Sequence, residues 1–384
     1  STTTTTSPGG IMTLRILALE PYYGGSHQAF LDGWAAHSCH DFTLVTLPAF
    51  HWKWRMRHAA ITMAADLARR VEAGEEWDIL FASDMLNLAE FRGLAPASLL
   101  SLPTVAYFHE NQLTYPAQEP REWDYHFAFT NFTTALAADQ VWFNSDYHRD
   151  DFLTALTAFL EQMPDHQPTD QVETIGDKAF IQSPGISLPH FSPAARQPGP
   201  LRITWAARWE HDKAPEILHQ ALRLLAAEGV DFRLSVLGQS FRQTPDTFAQ
   251  MQQELSAHVD QWGYLESHQQ YQQALAKTDL FVSTARHEFF GISVVEAIAA
   301  GAYPLVPRAL AYPDVLQLEQ HPEREQFFYD GSADELAARL KDLATCPPGN
   351  DSCSELLRTS VARFDWSVRG PQMDQQLAQL VTPV

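Results

Sequence analysis

The sequence predicts an α/β protein made of two Rossmann-like, doubly wound domains in tandem. Short apolar runs alternate with amphipathic stretches along most of the 384 residues, and this alternation is typical of parallel strands joined by helices. It is interrupted once, by a segment rich in proline, and then begins again. The length also fits two ordinary domains. We expect the domains to face each other across a ligand-binding cleft, at the carboxyl ends of their strands.

The first half contains six candidate strands and two clear candidate helices. The strands are the apolar runs at 14–20, 42–48, 78–83, 104–110, 141–145 and 179–185, and the helices are the periodic stretches at 57–73 and 124–138. These elements predict an N-terminal domain over residues 13–187. The low-complexity residues 1–12 predict a disordered tail before it.

The second half repeats the pattern. Its candidate strands lie at 202–208, 232–238, 280–285 and 303–307, and its helices at 215–229 and 292–300. We therefore expect a linker at 188–200, where the prolines cluster, and a second domain over residues 201–363.

The chain is acidic, with a formal net charge of −21 at pH 7. Both halves share the acidity, which argues against a general polyanion-binding surface, so we expect any contact with nucleic acid to be local. The three cysteines form no C-x-x-C pair, which argues against a disulfide framework and a structural zinc site. No apolar run approaches the roughly 18 residues of a membrane span, and no secretory signal precedes the first strand. We expect a cytoplasmic protein that does not bind membranes.

Gly24 and Gly25 lie where the first strand is expected to turn into a helix, in the segment EPYYGGSHQAF. Glycines at such a turn allow backbone N–H groups to approach an anion or a substrate closely. The spacing is not G-x-G-x-x-G, so a dinucleotide-binding fingerprint is absent. A tight turn that only requires a positive φ explains the two glycines equally well.

The segment RHEFFGISVVEAIAAGAYPLV is the strongest candidate for a site. A helix is expected to begin in it, so that the N–H groups of Gly291, Ile292 and Ser293 are open to a diphosphate. Glu296 lies about one turn into the helix, where its carboxylate can accept hydrogen bonds from ribose hydroxyls. Glu288 precedes the helix, where its carboxylate can accept hydrogen bonds from the hydroxyls of a sugar. Carboxylates that merely favour the positive end of a helix dipole would give the same pattern.

Two cations follow the first strand of the second half, in RWEHDK. Arg208 and Lys213 are suited to neutralise a diphosphate, the first through its planar guanidinium and the second as a point charge. Either one alone is equally an ordinary surface charge. Together with the two carboxylates and the helix start, they predict a nucleotide-sugar site.

A histidine ends the fourth strand, in YFHENQLTYP. His109 is expected to line the cleft, although a satisfied core histidine is the competing interpretation. The segment lacks the second histidine of H-E-x-x-H, so it does not predict a zinc protease. No D-x-D triplet occurs, which weakens the case for a metal-dependent sugar transferase. Asn144 lies at the next strand end, where Ser145 and Asp146 also fit a helix N-cap.

At these residues the sequence resembles known families. The carboxylates Glu288 and Glu296, with Arg208 and Lys213, resemble the site of retaining glycosyltransferases of the GT-B fold. The first half is similar to a narrower family, the tRNA-queuosine α-mannosyltransferases, in the segments LEPYYGGSHQAFLDG, TLPAFHWKWRMRHAA, FASDMLNLAEF, YFHENQLTYP and VWFNSDYHRDDFL. MPDHQP also fits. The resemblance covers most of residues 14–308 and is more specific in the first half.

The resemblance implies transfer of mannose from GDP-mannose to the queuosine of a tRNA anticodon. It implies four catalytic residues: Arg208 and Lys213 to grip the diphosphate, Glu288 to hold the sugar and His109 near the reaction centre. The implied donor-binding set is Gly24, Gly25, Arg208, Lys213, Tyr264, Leu265, Glu288, Gly291, Ile292, Ser293 and Glu296. The implied acceptor and tRNA set is His27, Trp52, Lys53, Trp54, Arg55, Arg57, Asn111, Gln112 and Asn144.

The implied mechanism retains the configuration at the anomeric carbon, with no metal or other cofactor. The protein then acts mainly by charge stabilisation and positioning. Phe289 stands where the family's usual EGFG has glycine, and its bulk is expected to affect sugar preference. The segment FDW at 364–366 resembles the start of the last helix of GT-B chains, so residues 364–384 are expected to cross back to the first domain.

A dense basic and aromatic segment, HWKWRMRH, stands apart from the acidic remainder. Its cations are Lys53, Arg55 and Arg57, and its apolar members are Trp52, Trp54 and Met56. In an extended strip, this alternation places the charges on one face and the apolar groups on the other. Given the resemblance, the strip suits an anticodon arm, with phosphates on the cations and an unstacked base on an aromatic or Arg plane. In the other interpretation Trp and Met face the core and the charges are only solvated.

Other functions remain open at this stage. A GT-B glycosyltransferase acting on a lipid, a polysaccharide or another small acceptor would share the donor site, but would favour an apolar or amphipathic acceptor face. A non-catalytic RNA- or nucleotide-binding protein would keep the fold without needing the four charged residues Arg208, Lys213, Glu288 and Glu296. An epimerase of the same fold would form no transfer product.

Overall fold

The computed structural model describes residues 13–116, 124–189, 196–240, 244–349 and 352–381. The chain divides into two compact units. Unit 1 comprises Ser1–Ser187 and Phe364–Val384, and unit 2 comprises Leu188–Arg363. The tail predicted at 1–12 lies outside the described residues, as does part of the predicted linker.

Unit 1 alternates strands with helices. Its strands are β1 (Arg15–Tyr23), β2 (Asp41–Pro48), β3 (Ile79–Ser83), β4 (Thr104–Phe108), β5 (Gln140–Phe143) and β6 (Ala179–Ile181). Its first helices are α1 (Gly25–His37), α2 (Trp52–Glu72), α3 (Leu88–Leu94), α4 (Ala97–Leu100), α5 (Tyr125–Ala137), α6 (Asp146–Glu161) and α7 (Asp170–Asp177).

The six strands of unit 1 form one parallel sheet in the order β2-β1-β3-β4-β5-β6. Both faces are buried, which is why the strands are almost continuously apolar. Within β1, Leu17 and Leu19 belong to the core on one face, and Ile16 and Ala18 to the core on the other. The alternation of successive side chains thus supplies both cores from a single run.

Unit 2 repeats this architecture. Its strands are β7 (Leu201–Ala206), β8 (Phe232–Leu237), β9 (Val259–Gly263), β10 (Leu280–Val282), β11 (Tyr303–Pro307) and β12 (Phe328–Tyr329). Its helices are α8 (Pro215–Ala227), α9 (Thr247–Glu254), α10 (His268–Ala276), α11 (Ile292–Ala299), α12 (Tyr312–Val315), α13 (Ala333–Thr345) and α14 (Ser352–Val361). The sheet is parallel, in the order β12-β11-β10-β7-β8-β9.

The last helix, α15 (Trp366–Val381), packs on unit 1 against α1. Its Asp374 is buried and accepts hydrogen bonds from the indole N–H of Trp34 at 2.9 Å, the hydroxyl of Ser38 at 2.7 Å and the backbone N–H of Cys39 at 2.7 Å. One carboxylate on α15 thereby satisfies three donors at the end of α1, which joins the two helices.

The segment HWKWRMRH is helical, so the prediction of an extended strip is wrong. Helix α2 begins at Trp52, and its buried positions follow the helical repeat from Met56 through Ala59 and Ala60 to Met63. The two-residue alternation spans only a few residues, and the helical period of the longer stretch behind it overrides it. No helix among the described residues combines the length and apolarity that crossing a membrane requires.

The ring of Trp366 fills space that only glycine leaves open. A Cβ atom on Gly33 would lie 2.2 Å from Trp366 Cε2, and one on Gly185 would lie 2.1 Å from Cε3. Trp366 is also buried in the core of unit 1 with Phe30 and Trp34. Its place in the fold therefore depends on two close backbone approaches.

Gly33→Ala is expected to destabilise the protein by about 1–3 kcal/mol, because the new methyl group collides with the Trp366 ring. Denaturant unfolding measures the change. Gly93→Ala is the matched control, since Gly93 is also helical but has nothing within 4 Å of an added Cβ. That control is expected to be neutral or to stabilise by up to ~1 kcal/mol. Equal effects of the two changes would contradict the packing described.

Candidate functional site

The strand order of unit 2 reverses between β7 and β10, which pair directly. At such a switch point the following helices diverge to opposite faces and leave a crevice at the carboxyl ends of the strands. A small, partly open concavity lies at this point. Its lining is Trp205, Ala206, Ala207, Lys213, Val282, Ser283, Ala285, Glu288, Ser293 and Tyr312.

Lys213 is buried in this crevice and makes three polar contacts. Its Nζ donates to the carbonyl of His287 at 2.8 Å, and lies 3.3 Å from Glu288 Oε2 and 3.0 Å from Asp212 Oδ2. The Thr284 hydroxyl also donates to the Lys213 carbonyl at 2.7 Å. The segment after β7 is therefore fastened to the segment after β10, which brings the predicted cation and carboxylate together.

Both members of the Lys213–Glu288 pair are held in their charged forms. Burial alone would lower the pKa of Lys213, but Glu288 and Asp212 outweigh it and raise that pKa. Burial likewise opposes the charge on Glu288, but Lys213 and the Phe290 backbone N–H outweigh it and lower the Glu288 pKa. The crevice thus contains a fixed positive charge, with a carboxylate ready to accept hydroxyl hydrogen bonds.

Helix α11 opens beside this pair, and Gly291 is its N-cap, with φ of 94°. A Cβ atom there would lie 2.8 Å from Tyr312 Cε1. The Tyr312 hydroxyl in turn lies 2.6 Å from Ser283 Oγ. Glycine is therefore required both by the backbone conformation and by the close ring. The first N–H groups of α11, including that of Ser293 in the lining, have no partner within the helix and favour an anion.

Arg208 is half-exposed, and its guanidinium lies 3.4 Å from Glu210 Oε2. Its charge opposes protonation of His287, whose pKa falls to about 4, chiefly through burial and then through Lys213. Tyr264, which is exposed, and Leu265, which is half-buried, follow the end of β9. In the part of the chain that the structure describes, the lining of the concavity does not include Arg208, Tyr264 or Leu265.

Glu296 and Ile292 are half-buried residues of α11. The Glu296 carboxyl is hydrogen-bonded to Tyr271 of α10, and burial raises its pKa to about 7 in spite of that bond. Tyr271 is a partner that the sequence did not reveal. Phe289 is buried, and its ring packs edge-on against His287 at 4.5 Å. Its effect on sugar preference stays a prediction.

The sheet of unit 1 reverses its order between β1 and β3, and ionisable groups gather at that point. Glu20 lies near the end of β1 and His27 in the first turn of α1. Asp84 directly follows β3, and His109 and Glu110 directly follow β4. Because the strands are parallel, their carboxyl ends meet at one edge of the sheet.

His27 and His109 form the centre of this cluster. The Nδ1 atom of His27 lies 3.1 Å from Glu20 Oε2, and the two imidazole rings are 4.0 Å apart at 32°. The backbone N–H of His109 donates to Asp84 Oδ1 at 3.0 Å. His109 Nε2 is buried without a hydrogen-bond partner among the described residues. This nitrogen is therefore available to a ligand, and the role of His109 stays a prediction.

The two imidazoles differ in protonation. Burial lowers the pKa of His27, but Glu20 outweighs it and raises that pKa to about 9. Burial, and then His27 and His148, hold the pKa of His109 well below its usual range. At neutral pH His27 is therefore an imidazolium and His109 a neutral imidazole.

Glu20, His27 and His109 bring possible metal ligands within 4.8 Å of one another. A metal requires neutral imidazole nitrogens that point at a common centre. His27 is instead protonated and hydrogen-bonded to Glu20, and its ring lies 4.0 Å from that of His109 at a tilt of 32°. These observations favour an ion pair with a neighbouring histidine, and the absence of a metal requirement stays a prediction.

The predicted polar residues Asn111, Gln112 and Asn144 are all buried. Asn144 Nδ2 donates to the His109 carbonyl at 2.9 Å. Asn111 Oδ1 accepts from two backbone N–H groups of its own loop at 3.0 Å, and the Gln112 backbone N–H donates to Asn131 Oδ1 at 2.7 Å. The amide side chains of Asn111 and Asn144 thus shape the loops around His109.

The two glycines after β1 serve different purposes. Gly24 is extended, and a Cβ atom on it would lie 2.5 Å from Ala49 Cβ. Gly25 has φ of 54° and open space around it. The first glycine is required by packing and the second by backbone conformation, so the turn needs both without any ligand.

The first turns of α2 present cations and an indole to solvent. Lys53, Trp54 and Arg57 are exposed, with Trp54 61% exposed, and their spacing places them on one side of the helix. Trp52 is half-buried, with its ring 5.2 Å from that of Phe127. Arg55 is half-buried. It donates to the Pro48 carbonyl at 3.0 Å and lies 4.8 Å from the centre of the Phe50 ring. We call Lys53, Trp54 and Arg57 the α2 face.

Sequence comparisons identify the family. Residues 15–186 match a family model described as tRNA-queuosine alpha-mannosyltransferase N-terminal, and residues 190–358 match glycosyl transferases group 1. The protein of Drosophila melanogaster named tRNA-queuosine alpha-mannosyltransferase is 34% identical over 316 residues, which are 79% of this chain and 82% of that protein. The chain belongs to the tRNA-queuosine alpha-mannosyltransferase family. The predicted family is thereby confirmed.

Solved structures show the same fold. Anabaena Alr3699/HepE in complex with UDP superimposes with a TM-score of 0.67 at 17% identity, covering 95% of this chain and 100% of that one. Sucrose-phosphate synthase from Thermosynechococcus elongatus has a TM-score of 0.71 at 16% identity, covering 95% and 99%. At such identities the likeness concerns fold alone, and with the two parallel sheets it confirms the predicted GT-B class.

Glu20 and Asp84 also belong to the cluster at the switch point of unit 1, but the sequence analysis did not identify them. Both are almost fully buried. The available signal was an acidic residue at the end of an apolar run, in LALEP and LFASD. An isolated carboxyl after a strand is common, however, and only the fold shows that Glu20 contacts His27 and that Asp84 contacts the neighbouring His109.

The His27–Glu20 pair is expected to make stability depend on pH. The folded-state pKa of His27 is raised from 6.5 to about 9. The pair's contribution to the free energy of unfolding is therefore complete below pH 6.5 and is lost as the pH rises through 9. The loss amounts to roughly 3 kcal/mol. Unfolding free energies at pH 6 and pH 9.5 measure this loss, which His27→Gln should reduce. The exposed His126→Gln is the control, and an unchanged loss in His27→Gln would contradict the assignment.

Proposed function

We propose that the protein transfers mannose from GDP-mannose to the queuosine nucleoside of a tRNA anticodon, with retention at the anomeric carbon. One observation carries the proposal for the donor. The buried Lys213–Glu288 pair, at 3.3 Å, lies beside the open start of α11 in a chain of the tRNA-queuosine alpha-mannosyltransferase family. A charge and a helix start suit a diphosphate, and a carboxylate suits a hexose.

The donor residues have distinct proposed roles. Lys213 and the first N–H groups of α11, at Ile292 and Ser293, bind the diphosphate, and Arg208 adds charge from its half-exposed position. Glu288 accepts hydrogen bonds from hexose hydroxyls. Glu296, oriented by its hydrogen bond with Tyr271, accepts those of the ribose.

The proposed chemistry needs little from the protein beyond charge and position. The bond between the anomeric carbon and the diphosphate oxygen breaks, and the acceptor hydroxyl oxygen bonds to that carbon from the same face. The hydroxyl proton passes to the departing diphosphate. Lys213 stabilises the charge that grows on the diphosphate, which is an electrostatic contribution from a group already in place.

The α2 face supports tRNA as the acceptor. In a chain with a net charge of −21, Lys53 and Arg57 offer a local attraction for phosphate, and Trp54 offers a surface for base stacking. A lipid acceptor would favour an apolar or amphipathic face, whereas the α2 face has two cations and a single exposed indole. The Drosophila melanogaster relative is named for a tRNA substrate, in agreement with this proposal.

The direct test is mass analysis of tRNA nucleosides after incubation with the purified protein and a nucleotide-sugar. Queuosine is expected to gain the mass of one hexose with GDP-mannose, and tRNA with guanosine at the wobble position is expected to gain none. Transfer from UDP-sugars but not from GDP-mannose would refute the donor proposal. GDP-mannose consumption without tRNA modification would favour another acceptor.

Glu288→Gln is expected to lower transfer at least 100-fold while changing GDP affinity less than threefold. The reason is that Glu288 is proposed to hold the hexose, which GDP lacks. Isothermal titration with GDP and steady-state transfer rates give the two values. Glu266→Gln, a change of an exposed carboxylate in unit 2, is the control. Parallel losses of GDP binding and of transfer would argue against this role.

Arg57→Ala is expected to weaken tRNA binding about tenfold and to reduce its salt dependence by about one phosphate contact. GDP binding should stay unchanged. Arg69→Ala is the matched control, because Arg69 is an exposed arginine near the other end of α2. Arg55→Ala is less informative about tRNA contact, because the Arg55 side chain donates a hydrogen bond to the Pro48 carbonyl and its loss changes the local structure. If Arg57→Ala and Arg69→Ala weaken tRNA binding equally, the α2 face does not contact tRNA.

A further inference from the structure

The cluster at the switch point of unit 1 holds more negative than positive groups. Glu20, Asp84 and Glu110 all interact electrostatically with a single imidazolium, that of His27. His27 contacts only Glu20 directly, at 3.1 Å. Among the described residues, Asp84 and Glu110 therefore have no cation of their own, and the chemistry proposed above does not use them.

Asp84 is completely buried and only half satisfied. Its Oδ1 accepts the backbone N–H of His109 at 3.0 Å, whereas its Oδ2 is buried with no hydrogen-bond partner in the described parts of the chain. Leaving a buried carboxyl oxygen without a donor is costly, so such an atom calls for an explanation in terms of a ligand. Burial, with Glu110 and Glu20 nearby, raises the pKa of Asp84.

Glu110 connects the buried Asp84 with solvent. It directly follows His109 and is half-buried, so part of its side chain meets solvent. Within the described residues it forms no ion pair. A ligand that carries a positive charge would therefore meet Glu110 before Asp84, which is fully buried and interacts electrostatically with Glu110.

The acceptor nucleoside supplies a matching cation. Queuosine is a 7-deazaguanosine whose cyclopentenediol ring is attached through a methylene and a secondary amine, and such an alkylamine is protonated at neutral pH. The hydroxyls that can accept a sugar are on the ring bonded to that nitrogen. A carboxylate that binds the ammonium would thus position the reacting hydroxyl, which lies only a few bonds from that nitrogen.

We propose that Glu110, supported by Asp84, forms a subsite for the secondary ammonium of the acceptor nucleoside. The assignment rests on the proposed function. It gives the enzyme a way to distinguish a modified wobble base from guanosine through a charge that guanosine lacks. A charge-assisted hydrogen bond at a partly buried carboxylate provides such discrimination.

The test compares anticodon stem-loops that differ only at the wobble nucleoside: guanosine, 7-aminomethyl-7-deazaguanosine or queuosine. The second carries the ammonium without the cyclopentenediol, so it isolates the charge. With the unchanged protein, both amine-bearing loops are expected to bind at least tenfold more tightly than the guanosine loop. Glu110→Gln should reduce that ratio to within twofold, with the affinity for the guanosine loop unchanged.

Two further variants complete the design. Glu161→Gln, which changes an exposed carboxylate of unit 1, should keep the tenfold ratio. Asp84→Asn should lower the ratio in part, and circular dichroism verifies that it folds. Because Glu110 is half-exposed, Glu110→Gln keeps the proposal testable even if Asp84→Asn does not fold.

Two outcomes would overturn the subsite. One is equal affinity of the unchanged protein for all three loops. The other is a Glu110→Gln variant that keeps the tenfold ratio or lowers the affinity for all three loops by the same factor. Either result can occur while queuosine still receives mannose, so failure of the subsite is distinct from failure of the proposed function, which would show as absence of transfer.

Discussion

Both candidate sites follow from one constraint, that parallel strands end at the same edge of a sheet. Where the strand order reverses, the helices leave to opposite faces and the strand ends stay uncovered. In unit 2 this point lies between β7 and β10 and carries Lys213 and Glu288. In unit 1 it lies between β1 and β3 and carries Glu20 and Asp84. Charged residues that are far apart in the sequence are thus brought together by the strand order.

The two clusters manage buried charge in opposite ways. In unit 2 the ammonium of Lys213 contacts two carboxylates, and its charge and that of Glu288 stabilise each other. In unit 1 one imidazolium serves three carboxyl groups, and buried polar atoms of Asp84 and His109 remain without partners in the described chain. The Lys213–Glu288 pair is therefore stabilised from within unit 2, whereas the cluster of unit 1 leaves buried polar atoms that a ligand can pair.

Much of the fold could be predicted from sequence, because its strands are buried on both faces and read as apolar runs. Strands β9 and β12 were missed: Val259–Gly263 has no residue in the fully buried class, and Phe328–Tyr329 has only two residues. The extended reading of HWKWRMRH failed because a short alternation competed with a longer helical repeat. In the site, Lys213 and Glu288 were predictable from spacing. The burial of Glu20 and Asp84, and the contact of Tyr271 with Glu296, depend on tertiary structure. An acidic residue after an apolar run is too common a local signal to reveal the first, and no local signal reveals the second.

The attachment of α15 to unit 1 bears on how the chain matures on the ribosome. The aromatic surface around Phe30 and Trp34 is covered by Trp366 and Met373, which are synthesised more than 300 residues later. The whole of unit 2 must therefore emerge before unit 1 is complete. During that interval the nascent chain exposes an apolar surface, which is the kind of surface that molecular chaperones bind.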